Sequence, residues 1–413
     1  MLKVSERGTA LPMSPYRKLT PFADAAKQRG VGVYHLNIGQ PDVETPPAML
    51  AAVQQASIRV LEYSPTAGYP SYRHKLAAYY QRLGIVVAAD DILVTTGGSE
   101  ALLFAFMCCF NPGDEVIVPE PFYGPYLGFA LATGVRLVAV TASFKSGYAL
   151  PPIAEVAARI TPRTRAVLIC NPNNPTGYVY TRTELAELLD VCRAHDLYLL
   201  SDEAYREFCY DAEFVSPLQL PGADEHVVLL DTISKRYSAC GARIGAFVTK
   251  NRALYQAAFK FAQLRVSPPG LAQVFAEAAA DLPSSYFDHT KTEYRARRDL
   301  MLRRLRAMPG VQCPTPDGAF YIMARLPVDD AERFAQWLLE SFQHHGHTVM
   351  ISPAAGFYAT PGAGRDEVRL AYVINQPAIE AAMDCLAEGL LHYPGRTLAQ
   401  ASASALHTPT LLS

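Results

Sequence analysis

The chain carries an amine and a guanidinium eight residues apart, Lys235 and Arg243, in the polar crossing Asp231-Thr-Ile-Ser-Lys-Arg-Tyr-Ser-Ala-Cys-Gly-Ala-Arg243. Apolar runs at 227–230 and 244–248 flank it and read as buried strands. A lysine that follows a buried strand emerges at the strand's carboxyl edge, where open α/β sheets bind ligands. An amine so placed can attack a carbonyl, although a lone loop lysine is ordinarily a solvated one. Four further places could do chemistry. Thr95-Thr-Gly-Gly-Ser-Glu100 turns from a strand straight into a helix, so Gly98 and Ser99 offer backbone N–H groups and a hydroxyl to an anion. A serine-capped Gly-Gly turn has the same composition. The stretch has neither the lysine of a nucleotide P-loop nor GxGxxG, which favours a monophosphate. Asn174, in Asn171-Pro-Asn-Asn-Pro-Thr-Gly177, presents donor and acceptor atoms from a proline-fixed loop, or simply makes a turn. Asp202 ends an apolar strand, where a carboxylate needs a cation, hydrogen bonds or a helix to cap. Arg369 sits mid-strand, pointing away from Val368 and Leu370. It suits two-pronged recognition of a carboxylate as well as a surface ion pair.

These residues need a scaffold that brings strand ends together. Short apolar strands are expected at 92–95, 116–118, 135–140, 166–170, 197–201, 227–231 and 244–248. Helical segments lie between them, at 100–110, 126–133, 152–159 and 183–195. That alternation predicts an α/β fold with a mostly parallel seven-stranded sheet covered by helices. After about residue 285 the alternation stops: helices at 294–308, 330–344 and 378–392 mix with strands at 348–351 and 368–373, as in a smaller α+β domain. The expected division is an arm over 1–47, a large domain over 48–285, a small domain over 286–395 and a mobile tail over 396–413. At 413 residues, with 50% hydrophobic and 18% charged residues and a net charge of −2, the chain is an ordinary globular protein without the basic surface of a nucleic-acid binder. The first residues lack a signal peptide's apolar stretch, and the eight cysteines show no CxxC spacing, so a cytoplasmic protein with free thiols is expected.

In chain order the set is a phosphate-type turn, the aromatic pair Phe122-Tyr123, Asn174, Asp202 with Tyr205, Lys235 with Arg243, then Arg369. It resembles the class I aminotransferases, fold-type I enzymes that use pyridoxal 5′-phosphate, from about residue 36 to 392, and is most similar to the bacterial aspartate aminotransferases. The resemblance implies that Lys235 holds the cofactor covalently and shuttles the proton. It pairs Asp202 with the pyridine nitrogen, Tyr205 and Asn174 with the ring's 3′-oxygen, and Tyr123 with the ring face, where aspartate-specific members often have tryptophan. Gly98, Ser99, Glu100, Thr232 (in place of the usual serine) and Arg243 are implied to hold the phosphate. Tyr63 is implied to reach the phosphate of a partner subunit in a homodimer. Arg369 is implied to bind the substrate's α-carboxylate, with Gly39 closing over it. The implied reaction is ping-pong amino transfer between an L-amino acid and a 2-oxo acid, aspartate with 2-oxoglutarate. Arg265 lies in a stretch similar to the one carrying the distal-carboxylate arginine of that group, although the loop here is shorter. Phe122, Tyr123 and Phe357 suit the alternative of aromatic or neutral amino acids. A lyase or synthase of the same fold would share the cofactor residues. A cofactor-sensing regulator would need a DNA-binding helix-turn-helix ahead of residue 36, for which there is no room.

Overall fold

The structure, a computed structural model, describes residues 2–11, 13 and 17–398. Most of the expected tail therefore lies outside the described residues. The strands are β1 (Gly32–His35), β2 (Ile92–Thr95), β3 (Glu115–Glu120), β4 (Arg136–Thr141), β5 (Thr164–Cys170) and β6 (Tyr198–Asp202). They continue with β7 (Val227–Thr232), β8 (Gly245–Val248), β9 (Tyr321–Arg325), β10 (His347–Met350), β11 (Ser352–Pro353) and β12 (Glu367–Ala371). Seven form one sheet in the order β2-β8-β7-β6-β5-β3-β4. The pairings from β4 through to β7 are parallel, and β8 runs against both its neighbours. Apolar side chains alternate between the two faces and feed two separate cores. Leu93, Leu200, Leu230 and Phe247 lie in one; Val94, Leu199, Leu229 and Ala246 lie in the other. A strand that must satisfy two cores is apolar throughout, and that makes these strands visible in the sequence.

Helices at the sheet's faces begin where the sequence supplies caps. Thr181 and Glu184 form a reciprocal capping box ahead of Arg182–Ala194. The helix Gly97–Cys109 starts two residues after β2, which points its amino end at the carboxyl edge of the sheet. Pro47 opens the helix Pro47–Gln54 in the favoured first-turn position. Three helices that the apolar periodicity did not indicate are present: Pro70–Arg82, Arg252–Leu264 and Gly270–Ala278.

The C-terminal part carries an antiparallel sheet in the order β11-β12-β9. Helices Ser285–Arg306, Ala331–Glu340 and Gln376–His392 accompany it. β1, from the stretch expected to be an arm, pairs in parallel with β10 and so joins this part. Where β9 begins, Gly318 N donates to Gly177 O at 2.8 Å and Ala319 N to Phe208 O at 2.8 Å, which docks the smaller sheet on loops of the larger one. A Cβ on Gly318 would fall 2.7 Å from Pro172 and 2.8 Å from Phe208 O, so only glycine allows that approach. No helix among the described residues is long and apolar enough to cross a membrane.

Candidate active site

The carboxyl ends of β2, β5, β6 and β7 converge on one cleft, lined among others by Gly98, Ser99, Tyr123, Asn174, Asp202, Tyr205, Thr232, Lys235 and Arg243. Nine residues singled out from five separate stretches of sequence thus meet at the sheet edge. Lys235 is half-buried there, and its Nζ donates to Gly39 O at 2.7 Å, closing residues of the N-terminal stretch over the amine. Gly39 is itself buried, and a Cβ on it would overlap the hydroxyl of Tyr321.

The turn bearing the lysine is fixed from below. Arg236 donates to both carboxylate oxygens of Asp231, at 2.7 and 3.0 Å, and to Thr232 O at 2.9 Å. Arg206 Nη1 lies 3.1 Å from Asp231 Oδ2. Burial alone would raise the Asp231 carboxyl, but the two guanidiniums and their hydrogen bonds outweigh it and hold the group well below the usual carboxylate range. The ionised network therefore fixes the polypeptide between β7 and Lys235.

At one end of the cleft the donors suit an anion. The first turn of Gly97–Cys109 leaves backbone N–H groups unpaired within the helix, and Thr232, Ser234 and Arg243 face it. Gly97 has φ +76°, and a Cβ there would meet Arg243 Nη2 at 2.3 Å. A Cβ on Gly245 would lie 2.5 Å from Asp231 O and 2.6 Å from the carbonyl carbon of Gly97. The cradle thus depends on missing side chains. Glu100 is placed differently from the expectation. Its carboxylate accepts from Thr96 N at 2.7 Å and from Arg265 Nε at 3.0 Å, so it braces the turn from behind. A carboxylate would in any case repel a phosphate.

Asp202 sits at the other end, 9% exposed, accepting from Tyr126 Oη at 2.8 Å and from Ala204 N at 3.2 Å. It has no ion pair among the described residues, and burial pushes its carboxyl up to about 6. A cation at this position, such as a protonated ring nitrogen, would remove the penalty. Between the two ends, Tyr205 Oη takes a hydrogen bond from Asn174 Nδ2 at 3.1 Å, and burial lifts its phenol well above the ordinary range. Asn174 Oδ1 in turn accepts from Arg369 Nη1 at 3.0 Å. Arg369 is 1% exposed, and its guanidinium lies over the rings of Tyr321 and Phe357, at 4.3 and 5.1 Å.

Two expected residues are not brought to the cleft of their own chain. Tyr63 is 83% exposed. Arg265 places Nε on Glu100, Nη2 on Val94 O at 2.6 Å and Nη1 towards Thr66 O at 3.4 Å, contacts that hold it outside the cleft of its own chain. Its guanidinium is held among backbone carbonyls behind the turn. Residues the sequence reading passed over include Ser234, Tyr126 and Tyr321. Ser234 was within reach, a small hydroxyl beside Lys235; the two tyrosines gave no local signal.

Donors suited to a phosphate, an amine and a buried carboxylate in one cleft, at the carboxyl edge of this sheet, are the features of a fold-type I pyridoxal-phosphate enzyme. The family model for aminotransferases of class I and II matches residues 31–386, and the chain belongs to that family. It is 34% identical over 363 residues to the arginine–pyruvate transaminase AruH of Pseudomonas aeruginosa, covering 87% of this chain and 90% of that protein. The solved aspartate aminotransferase of Thermus thermophilus with maleate superposes with a TM-score of 0.86 at 31% identity, covering 94% of this chain and all of that one. An alanine aminotransferase from Pyrococcus furiosus superposes at 0.85 with 28% identity, covering 94% and 99%. Dependence on pyridoxal phosphate follows from the family.

Proposed function

We propose that this chain moves an amino group between an L-amino acid and a 2-oxo acid by a ping-pong cycle in this cleft, with Lys235 as the acid–base residue. The observation that carries the reading is the half-buried Lys235 amine, lining one cleft with an anion cradle and the buried carboxylate of Asp202. Pyridoxal phosphate, when bound, supplies an electron sink that acidifies the substrate's α-carbon. The chain does the rest. Gly98, Ser99, Thr232 and Arg243 hold the phosphate, and Asp202 keeps a cationic ring nitrogen paired. Tyr205 and Asn174 hydrogen-bond the 3′-oxygen, and Tyr123 covers the ring face. Arg369 grips the α-carboxylate with Gly39 closing over it. Lys235 Nζ would take the proton from the substrate's α-carbon and later release it, acting first as base and then as acid. Tyr63 serves the phosphate of a second copy in a homodimer, and residues 48–285 and 286–395 act as cofactor-binding and substrate-closing parts. Borohydride reduction followed by peptide mass analysis is expected to trap the cofactor on Lys235. Lys235→Ala is expected to fold, to trap nothing and to lose more than about 10³-fold in turnover. A trapped adduct elsewhere would overturn the assignment.

The substrate side chain has two readings. Aspartate follows the names of several solved relatives, the Thermus thermophilus aspartate aminotransferase among them, and with 2-oxoglutarate as the second acid it needs a further cation. An aromatic or neutral amino acid is favoured by the geometry, because Arg265 is engaged within its own chain and the rings of Tyr321 and Phe357 border Arg369. On a panel of aspartate, phenylalanine and alanine, Arg265→Ala is expected to reduce all three rates alike, as loss of a brace would. A selective loss of aspartate turnover would restore Arg265 as a distal-carboxylate cation.

A further inference from the structure

Tyr321 touches three separate parts of the site. Its hydroxyl is 2.9 Å from that of Tyr205. Its ring lies under the Arg369 guanidinium at 4.3 Å. Its hydroxyl also fills the space beside the α-carbon of Gly39 that a side chain would need. The backbone dictates this placement. β9 and β12 are antiparallel with Met323 opposite Arg369 and Ala371 opposite Tyr321. Residues opposite one another share a face, as do residues two apart. Tyr321 and Arg369 are therefore diagonal neighbours on one face of the small sheet, and Tyr321 is 2% exposed.

Asn174 makes a second bridge between the same two groups, to Tyr205 through Nδ2 and to Arg369 through Oδ1, but it comes from a loop of the large sheet. Of these two bridges it is Tyr321 that shares a sheet with Arg369 and so carries a movement of that sheet directly to Tyr205. The direction of the bond follows from counting. A phenol has one proton and two acceptor lone pairs. If Tyr205 gives its proton to the cofactor's 3′-oxygen, it can only accept from Asn174 and from Tyr321, and Tyr321 must be the donor.

We propose that Tyr321 is a positioning residue that couples a carboxylate's arrival at Arg369 to the hydrogen bond Tyr205 offers the cofactor, with the Tyr321 ring serving Arg369 and the hydroxyl serving Tyr205. This rests on the assignment of Arg369 and Tyr205 proposed above. The two functions separate by substitution, since Tyr321→Phe keeps the ring and Tyr321→Leu removes both. The test uses the holoenzyme with maleate and 3-phenylpropanoate as carboxylate probes, reading the probe's dissociation constant and the change it causes in the bound cofactor's absorption. In the wild type at least one probe is expected to bind and to shift the absorption. Tyr321→Phe is expected to bind that probe within about threefold of the wild type while losing most of the shift. Tyr321→Leu is expected to weaken the probe by about tenfold or more, with its melting curve recorded as a folding control. A full shift in Tyr321→Phe, no shift in the saturated wild type, or equal weakening in both variants overturns the proposal. Borohydride trapping on Lys235 in all three proteins keeps the cofactor reading separate. Trapping with an unaltered Tyr321→Phe response sinks this inference alone, whereas no trapping, or no probe binding to the wild type, sinks the assignments beneath it.

Discussion

Asp202 places fold and function in opposition. Its carboxyl titrates at about 6 in the folded chain because of burial, against an ordinary value of 3.8. Between those values the folded state binds more protons than the unfolded one, so the stability of the cofactor-free protein falls as pH rises from about 4 to 6. Asn has no charge to bury and can still accept from Tyr126. Cofactor-free Asp202→Asn is therefore expected to be more stable than the wild type above pH 6, by on the order of 2 kcal/mol. The advantage should shrink as the pH is lowered towards 4, and denaturant melts across that range check it. The same variant should bind the cofactor more weakly, since the ring nitrogen loses its counter-ion. At this scale the sequence was informative wherever chemistry depends on residue type and strand position, as at Lys235, Asn174, Asp202 and Arg369. It was silent on Tyr321 and Tyr126, because a tyrosine in an apolar run looks the same whether its hydroxyl is used or merely buried. At Arg265, local similarity carried no information about the three carbonyl and carboxylate partners that hold the side chain within its own chain.

The elements that the sequence revealed are those buried on both faces. The seven central strands were legible because each must be apolar throughout, whereas β1, half-buried along its four residues, left no such trace. The helix Pro70–Arg82 hid for a related reason: three of its four buried residues are tyrosines, which blur an apolar stripe. The junction of elements at the phosphate end shows how little space the cradle has. Gly245 opens β8 directly against Asp231 O, the Gly97 carbonyl carbon and Gly98 N, at 2.5, 2.6 and 2.8 Å from the position of a Cβ. All three are backbone atoms, so no side chain can rotate away, and the start of the helix would have to move off the sheet. Gly245→Ala is expected to destabilise the protein by about 2–3 kcal/mol and to lower cofactor affinity together with it. Thermal melts and cofactor titration on one preparation test this. Unchanged affinity in a destabilised variant would show that the helix amino end is not what holds the phosphate.

On the scale of the whole molecule, several exposed apolar side chains fall on two adjoining segments. Val60, Leu61 and Tyr63 lie on one segment, and Leu264 and Val266 on another, all exposed. Hydrogen bonds from Ser64 to Pro268 O and from Thr66 to Val266 O hold the two segments side by side. Arg265 ties the second segment to the start of the phosphate helix through Glu100. Exposed apolar surface of this kind, tied to the phosphate helix through Arg265 and Glu100, is where a partner would be expected to pack. A second copy seated on it would explain why Tyr63 stands in solvent while its own chain's phosphate cradle is lined by other residues. The full chain is accordingly expected to be a dimer by light scattering, and Leu264→Asp, which puts a charge in the middle of the surface, is expected to give monomers with weakened cofactor binding. Tyr63→Phe separates contact from chemistry. It keeps the ring and hence the dimer, but removes one hydrogen bond to a charged group, which is worth about tenfold or more in cofactor affinity. A monomeric wild type with full cofactor affinity would mean that each cleft is complete in one chain, and the exposed tyrosine would then need another explanation.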